Sequence, residues 1–189
     1  MDDDIRIRPL ADDDWEGVAA LEAGAYSASG LSEGRAALES RGRSSPTTCF
    51  AVERRGRLGG YLLSLPYPLF HCPDLAREER AGFRSSNLHV HDVVIAEELR
   101  GRGLAPRLLN HLARTARAQG YERLSMVAVG GTEVLWSPLG YSAHPEVAFP
   151  ESYGAHAVYM SMALGAAPAE PSKHTSDPLY GSPPKDEVG

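Results

Sequence analysis

Between Leu99 and Leu109 the chain reads Leu-Arg-Gly-Arg-Gly-Leu-Ala-Pro-Arg-Leu-Leu, a glycine-rich turn that leads into an apolar pattern at helical spacing. The chemistry this suits is the holding of a phosphate. Gly101 and Gly103 allow a tight turn and carry no Cβ to obstruct an anion. Leu104, Ala105 and Pro106 then open the helix, whose first amides lack intrahelical acceptors and sit at the positive end of its dipole. Two other phosphate-binding patterns fit less well, because no Gly-Lys-Ser or Gly-Lys-Thr follows and the spacing is not Gly-x-Gly-x-x-Gly.

The turn needs a strand before it and a helix after it. Val90 to Ala96 includes Val93, Val94 and Ile95, β-branched residues that suit a strand buried on both faces. Leu104, Leu108, Leu109 and Leu112 recur at helical spacing, with Arg107, Arg114 and Arg117 off that face. Upstream, Ile5-Arg6-Ile7-Arg8-Pro9 alternates as a first strand would, and Asp12 to Asp14 precede a helix carrying Trp15, Val18, Leu21 and Tyr26. A short second helix is expected from Ser32 to Ser40, and Phe50 to Leu65 reads as a hairpin turning at Arg55-Gly56-Arg57. Pro66 to Asn87 is a long connection, of the kind that is functional or mobile in a compact domain. Arg123 to Val129 is a strand, Thr132 to Trp136 a short helix limited by Pro138, and His156 to Leu164 a last strand.

At 189 residues, with 42% hydrophobic and 23% charged residues, the chain reads as one soluble domain, residues 1–165. Ala166 to Gly189 is rich in Pro, Ser and Gly and is expected to be a disordered tail. The net charge of −6 argues against nucleic acid as a partner, while the arginines from Arg100 to Arg123 form a local cationic zone suited to a small polyanion. Cys49 and Cys72 lie in no metal-ligand spacing, so no metal is expected. The acidic start Met1-Asp2-Asp3-Asp4 and the lack of a long apolar run argue against a signal peptide or membrane span, and the expected location is cytoplasmic. A homodimer is one assembly the chain could form.

Arg100-x-x-Gly103-x-Ala105 after a strand resembles the pyrophosphate-binding motif of the GNAT superfamily of acyl-CoA N-acyltransferases. Leu135-Trp136-Ser137-Pro138-Leu139-Gly140-Tyr141 is similar to the phrase that ends the second half of the GNAT core. The two occur in the family's order and at its distance. The resemblance implies an α/β (α+β) fold, a single domain whose mixed, mostly antiparallel sheet has two splayed parallel strands and is flanked by helices. It implies acetyl-CoA as cosubstrate, its pantetheine arm along Val93, Val94 and Ile95 and its diphosphate held by Arg100, Gly101, Arg102, Gly103, Leu104, Ala105 and Pro106. Arg102 and Arg107 would add charge near the phosphates, and Pro106 departs from the pattern in offering no N–H.

The reaction implied is direct attack of a neutral amine on the thioester, which needs a base, a polarised carbonyl and a proton for the leaving thiolate. Trp136 stands where the family commonly places an acid tyrosine; it can wall the thioester or donate a hydrogen bond, but its indole delivers no proton at neutral pH. Val129 likewise replaces a common asparagine. Candidates for the missing chemistry are His89, His91 and Asp92, with alternation placing the two histidines on one face and Asp92 on the other unless a bulge intervenes. Tyr26, Tyr67, Phe70, His71, Tyr153, His156 and Tyr159 are candidates to line the acceptor site, and Tyr153 could replace the acid. The expected function is acetyl transfer from acetyl-CoA to a primary amine of a small molecule or amino-acid-like acceptor. A protein or peptide N-acetyltransferase and a non-catalytic acyl-CoA-binding module are the alternatives, while a serine hydrolase is disfavoured because no Gly-x-Ser-x-Gly elbow occurs.

Overall fold

Arg55 and Gly56, with φ of 51° and 73°, turn β2 (Phe50–Arg54) back into β3 (Arg57–Pro66). Positive φ at both central residues gives the turn whose twist matches antiparallel strands. The computed structural model describes residues 4–79 and 82–165, so the expected tail lies outside the described residues. β1 (Ile5–Pro9) pairs antiparallel with β2, and β4 (Asn87–Ile95) pairs antiparallel with β3. β5 (Arg123–Val129) lies parallel to β4, and β7 (Ala157–Ala163) pairs antiparallel with both β5 and β6 (Ser142–His144). The sheet order is β1-β2-β3-β4-β5-β7-β6. This is the mixed, mostly antiparallel sheet that the resemblance implied.

Helices α1 (Trp15–Tyr26) and α2 (Arg35–Ser44) cover one face of the sheet, where Trp15, Val18 and Leu38 pack with Tyr61, Leu63 and Val94. Helix α3 (Leu104–Ala118) covers the other, burying Leu104, Leu108, Leu109 and Leu112 against Val90, Ile95, Leu124 and Met126. A one-turn helix, α4 (Glu133–Trp136), follows β5 on the α3 side. The second helix starts later and runs further than the expected Ser32 to Ser40. Gly34 precedes it at φ 81°, and the helix continues through Arg41 and Gly42, both buried, with the Trp15 ring seated where a Gly42 Cβ would be. Strand β6 was not expected at all; three residues are too few to show a period.

Strand β3 carries Gly60 opposite Ile95, and a Cβ added there would lie 2.8 Å from the Val94 carbonyl oxygen. Backbone cannot give way as a side chain can. Gly60→Ala is therefore expected to destabilise the fold by about 1–3 kcal/mol, measured by denaturant unfolding. Gly24→Ala is the control, since an added Cβ on that exposed helical position meets nothing within 4 Å. Equal stability of the two variants would contradict the packing described.

Candidate functional site

Strands β4 and β5 pair only from Asn87–Arg123 to Val90–Met126, although β4 runs on to Ile95 and β5 to Val129. Beyond Val90 the two strands part. A cavity of about 370 Å³ fills the gap, with Val93, Val94 and Ile95 on one wall and Met126, Val127 and Val129 on the other. Its end is closed by Arg100, Gly101, Gly103, Leu104, Ala105 and Pro106, and its side by Trp136. Gly101 and Gly103 have φ of 74° and 69°, and a Cβ on either would project into open space. The glycines thus meet a backbone demand rather than a packing one.

Among the first-turn residues of α3, Pro106 has no N–H and the Arg107 amide donates to the Gly103 carbonyl at 3.2 Å. The amides available to an anion are therefore those up to Ala105. The Arg100 side chain folds back, its Nε donating to the Ile95 carbonyl at 3.2 Å. Arg102 is exposed and is not part of the cavity wall. Trp136 Nε1 donates to Thr132 Oγ1 at 3.4 Å, which leaves the indole as a wall of the cleft.

The β3–β4 register passes from Leu63–Asp92 to Ser64–Val90, so His91 is an extra residue, a bulge. Plain alternation is overturned by it. His89 opposes Leu65, Asp92 opposes Leu63 and Val94 opposes Tyr61, which puts His89 and Asp92 on the same face, towards α1 and α2. His89 lies away from the cleft: it is buried, its Nδ1 is 3.0 Å from Ser125 Oγ, and its ring stacks on Tyr159. Burial pushes its pKa down to about 3, so the ring stays neutral at physiological pH.

Asp92 sits where the strands part. Tyr26 donates to its Oδ1 at 2.8 Å and Tyr61 donates to its Oδ2. Burial pushes the carboxyl up to about 6, against the pull of the two phenols. Burial first and the Asp92 charge second raise both tyrosines, which remain protonated donors. Asp92, Tyr26 and His91, with Val127 and Val129, line both the cleft and a smaller cavity of about 50 Å³ and so form the partition between them; Leu31, Glu33, Leu75 and Tyr153 complete the smaller one. His91 Nε2 is 2.6 Å from Glu33 Oε1, and Glu33 Oε2 is 2.8 Å from Arg41 Nη2. Buried Arg41 in turn donates to the carbonyls of Ala37, Asp74 and Arg77, tying α2 and the long connection to this carboxylate.

Tyr153 lines the smaller cavity and not the cleft, with its hydroxyl beside Cys72 and its pKa raised by burial, so the cleft draws no phenol from it. Of the other aromatics considered for the acceptor site, Tyr26 lines both cavities, whereas Tyr67, Phe70, His71, His156 and Tyr159 line neither. Glu33, Arg41 and Tyr61 did not emerge from the sequence. Their only local signal is an acid just before α2, an arginine within it, and a tyrosine in an apolar strand.

Residues 15–133 match the acetyltransferase (GNAT) family. The chain belongs to that family. The matched span holds α1 to β5, and so the whole gap between β4 and β5; Trp136 lies just beyond it. No curated protein matches this GNAT protein in sequence. Solved structures of the same fold include Ard1 from Thermoplasma volcanium, at 13% identity and TM-score 0.65 over 84% of this chain and 97% of that one. N-acetylglutamate synthase from Neisseria gonorrhoeae, complexed with coenzyme A and N-acetyl-glutamate, is 19% identical at TM-score 0.66, over 85% of this chain and 35% of that one. The GphF GNAT-like decarboxylase in complex with isobutyryl-CoA is 17% identical at TM-score 0.66, over 85% of this chain and all 100% of that one. At such identities the likeness shows the fold. Among the described residues of the GNAT protein, no three His, Cys, Asp or Glu side chains converge as a metal site, and no helix is long and apolar enough to cross a membrane.

Proposed function

We propose that this GNAT protein transfers an acetyl group from acetyl-CoA to a primary amine of a small molecule or amino-acid-like acceptor. The observation that carries the reading is the parting of β4 from β5 after Val90, which joins a glycine-lined helix start to a buried carboxylate through one cleft. The pantetheine arm would pair with the open edge at Val93 to Ile95, and the diphosphate would accept from amides of Gly101 to Ala105. Trp136 would wall the thioester. Two of the solved neighbours hold coenzyme A or an acyl-CoA, which favours the same donor class.

In this reading the amine approaches from the smaller cavity. Asp92, with a pKa of about 6, is ionised above that pH and takes a proton from the incoming ammonium, freeing the lone pair. The amine nitrogen then bonds to the thioester carbon, the carbon–sulfur bond breaks, and the second proton shed by the acylated nitrogen passes through water at the cleft mouth to the leaving thiolate, while the proton on Asp92 returns to solvent. Tyr26 and Tyr61 hold the carboxylate in place as proton donors. His91, fixed by Glu33, walls the approach.

The test is release of free thiol from acetyl-CoA by the wild-type protein with a panel of primary amines and short peptides. Saturable release that requires a small amine supports the proposal. Release with peptides alone would make the protein a peptide N-acetyltransferase. Undiminished acetyl-CoA binding with no amine-dependent release would make it a binding module and overturn the catalytic reading.

A further inference from the structure

If the cleft holds the acyl donor, the smaller cavity decides which acceptor can enter. Its volume of about 50 Å³ is small. A water molecule needs about 10–15 Å³ on such a measure, so the space holds roughly three to five non-hydrogen atoms. Leu31, Leu75, Val127 and Val129 supply apolar wall, and Glu33 and Asp92 supply the carboxylates. Among the described residues neither Lys nor Arg lines it.

Charge around this space is out of balance. Glu22, Glu33 and Asp92 are all withdrawn from solvent, and beside these three carboxylates the buried basic groups among the described residues are the Arg41 guanidinium and the His91 imidazole, both on Glu33. Glu22 accepts from Ser32 Oγ at 2.7 Å and from the Glu33 amide at 2.6 Å, so it fixes the segment that carries Glu33. Arg41 is turned to Glu33 and to three carbonyls and does not reach the cavity wall. Separately, His91 forms part of the wall with a side chain only 1% exposed, and its Nδ1 has no hydrogen-bond partner among the described residues. Buried carboxylates in such excess are costly unless a cation joins them. A ligand carboxylate would meet two like charges and no guanidinium or ammonium to answer it.

We infer that the acceptor is a compact aliphatic amine without a carboxylate, and that Glu33 is the residue that selects it. The inference rests on the donor assignment above and narrows it, setting amino acids outside the substrate class. An ammonium entering the cavity supplies the missing positive charge, lies between Glu33 and Asp92, and presents its nitrogen at the partition with the cleft.

Isopropylamine and alanine make the critical pair, since alanine is the same skeleton with one methyl replaced by a carboxylate. Binding to the coenzyme A-loaded protein is measured by calorimetry, and turnover by thiol release. Isopropylamine is expected to bind and to be acetylated, with kcat/KM at least about 100-fold above that for alanine. Glu33→Gln should raise KM for isopropylamine by about tenfold or more and shrink its advantage over alanine, with acetyl-CoA affinity unchanged. Because Glu33 is buried, Leu75→Phe serves as a second variant: it fills the cavity and should exclude isopropylamine while methylamine is still accepted. Preference for alanine, failure of isopropylamine to bind, or an unaltered ratio in Glu33→Gln protein that binds acetyl-CoA normally would each overturn the inference. Loss of acetyl-CoA binding by the wild type would instead sink the donor assignment, so the two failures are distinct.

Discussion

Asp92→Asn should lower kcat by about 100- to 10,000-fold, the span by which a positioned base accelerates proton transfer, while acetyl-CoA still binds. The same substitution should make the protein more stable at neutral pH. A carboxyl whose native pKa is about 6 but whose ordinary value is 3.8 favours the folded state only while it is protonated. That advantage is complete below pH 3.8, is lost as pH rises through about 6, and leaves the ionised native group costing on the order of 3 kcal/mol above it. Asparagine is isosteric, can still accept from Tyr26 or Tyr61, and carries no charge to bury. Melting temperatures of the two proteins should therefore coincide near pH 4 and separate, in favour of the variant, by pH 8. The wild-type rate should fall below pH 6 as Asp92 protonates; the other titratable groups around it are Tyr26 from α1, Tyr61 from β3, and Glu33 and His91 at the cavity. An active Asp92→Asn enzyme, or one less stable at pH 8, would contradict this role.

Gly103→Glu is the second large effect. The position has φ of 69° and open space where a Cβ would go, so a side chain there projects from the start of α3 where the diphosphate is proposed to lie. The substituted carboxylate would both repel that anion and compete for the amides of Leu104 and Ala105. Acetyl-CoA affinity should fall by about 100-fold or more, of the order expected when charge-assisted hydrogen bonds are lost. The left-handed backbone adds about 1–2 kcal/mol of strain for most residues. Gly103→Asn separates the two causes, because asparagine tolerates that conformation and is neutral. Equal loss of affinity in both variants would point to strain alone.

What could be read from the sequence was local or periodic. The glycine turn and the amphipathic α3 carry their own spacing, and Arg55-Gly56 marks its hairpin by turn chemistry, so these elements stand where expected. The resemblance added the parting of β4 from β5, which no residue pattern states. The resemblance placed a bulge near this stretch, but its seat at His91 was not legible, because that depends on how Ser64 and Leu63 of β3 register against β4, a property of two strands rather than one. Its consequence is the pairing of Asp92 with Tyr26 and Tyr61, drawn from three separate elements. In the sequence Arg41 and Glu33 look like solvated charges; in the fold Arg41 is turned inward by the carbonyls of the long connection, and Glu33 by Arg41 and His91. Tyr153 was placed near the thioester by proximity to the last strand, and the structure sets it on the smaller cavity instead.

Hydrogen exchange of the wild-type protein with and without acetyl-CoA tests the central claim most directly, because it reads backbone amides one segment at a time. Acetyl-CoA should slow exchange along Val93 to Ile95 and across Gly101 to Ala105, the edge that parts from β5 and the helix start that closes the cleft, with little change along β1, β2 and β6. Absence of protection in both segments at saturating acetyl-CoA, or protection confined to another face of the sheet, would contradict the assignment of this cleft to the acyl donor.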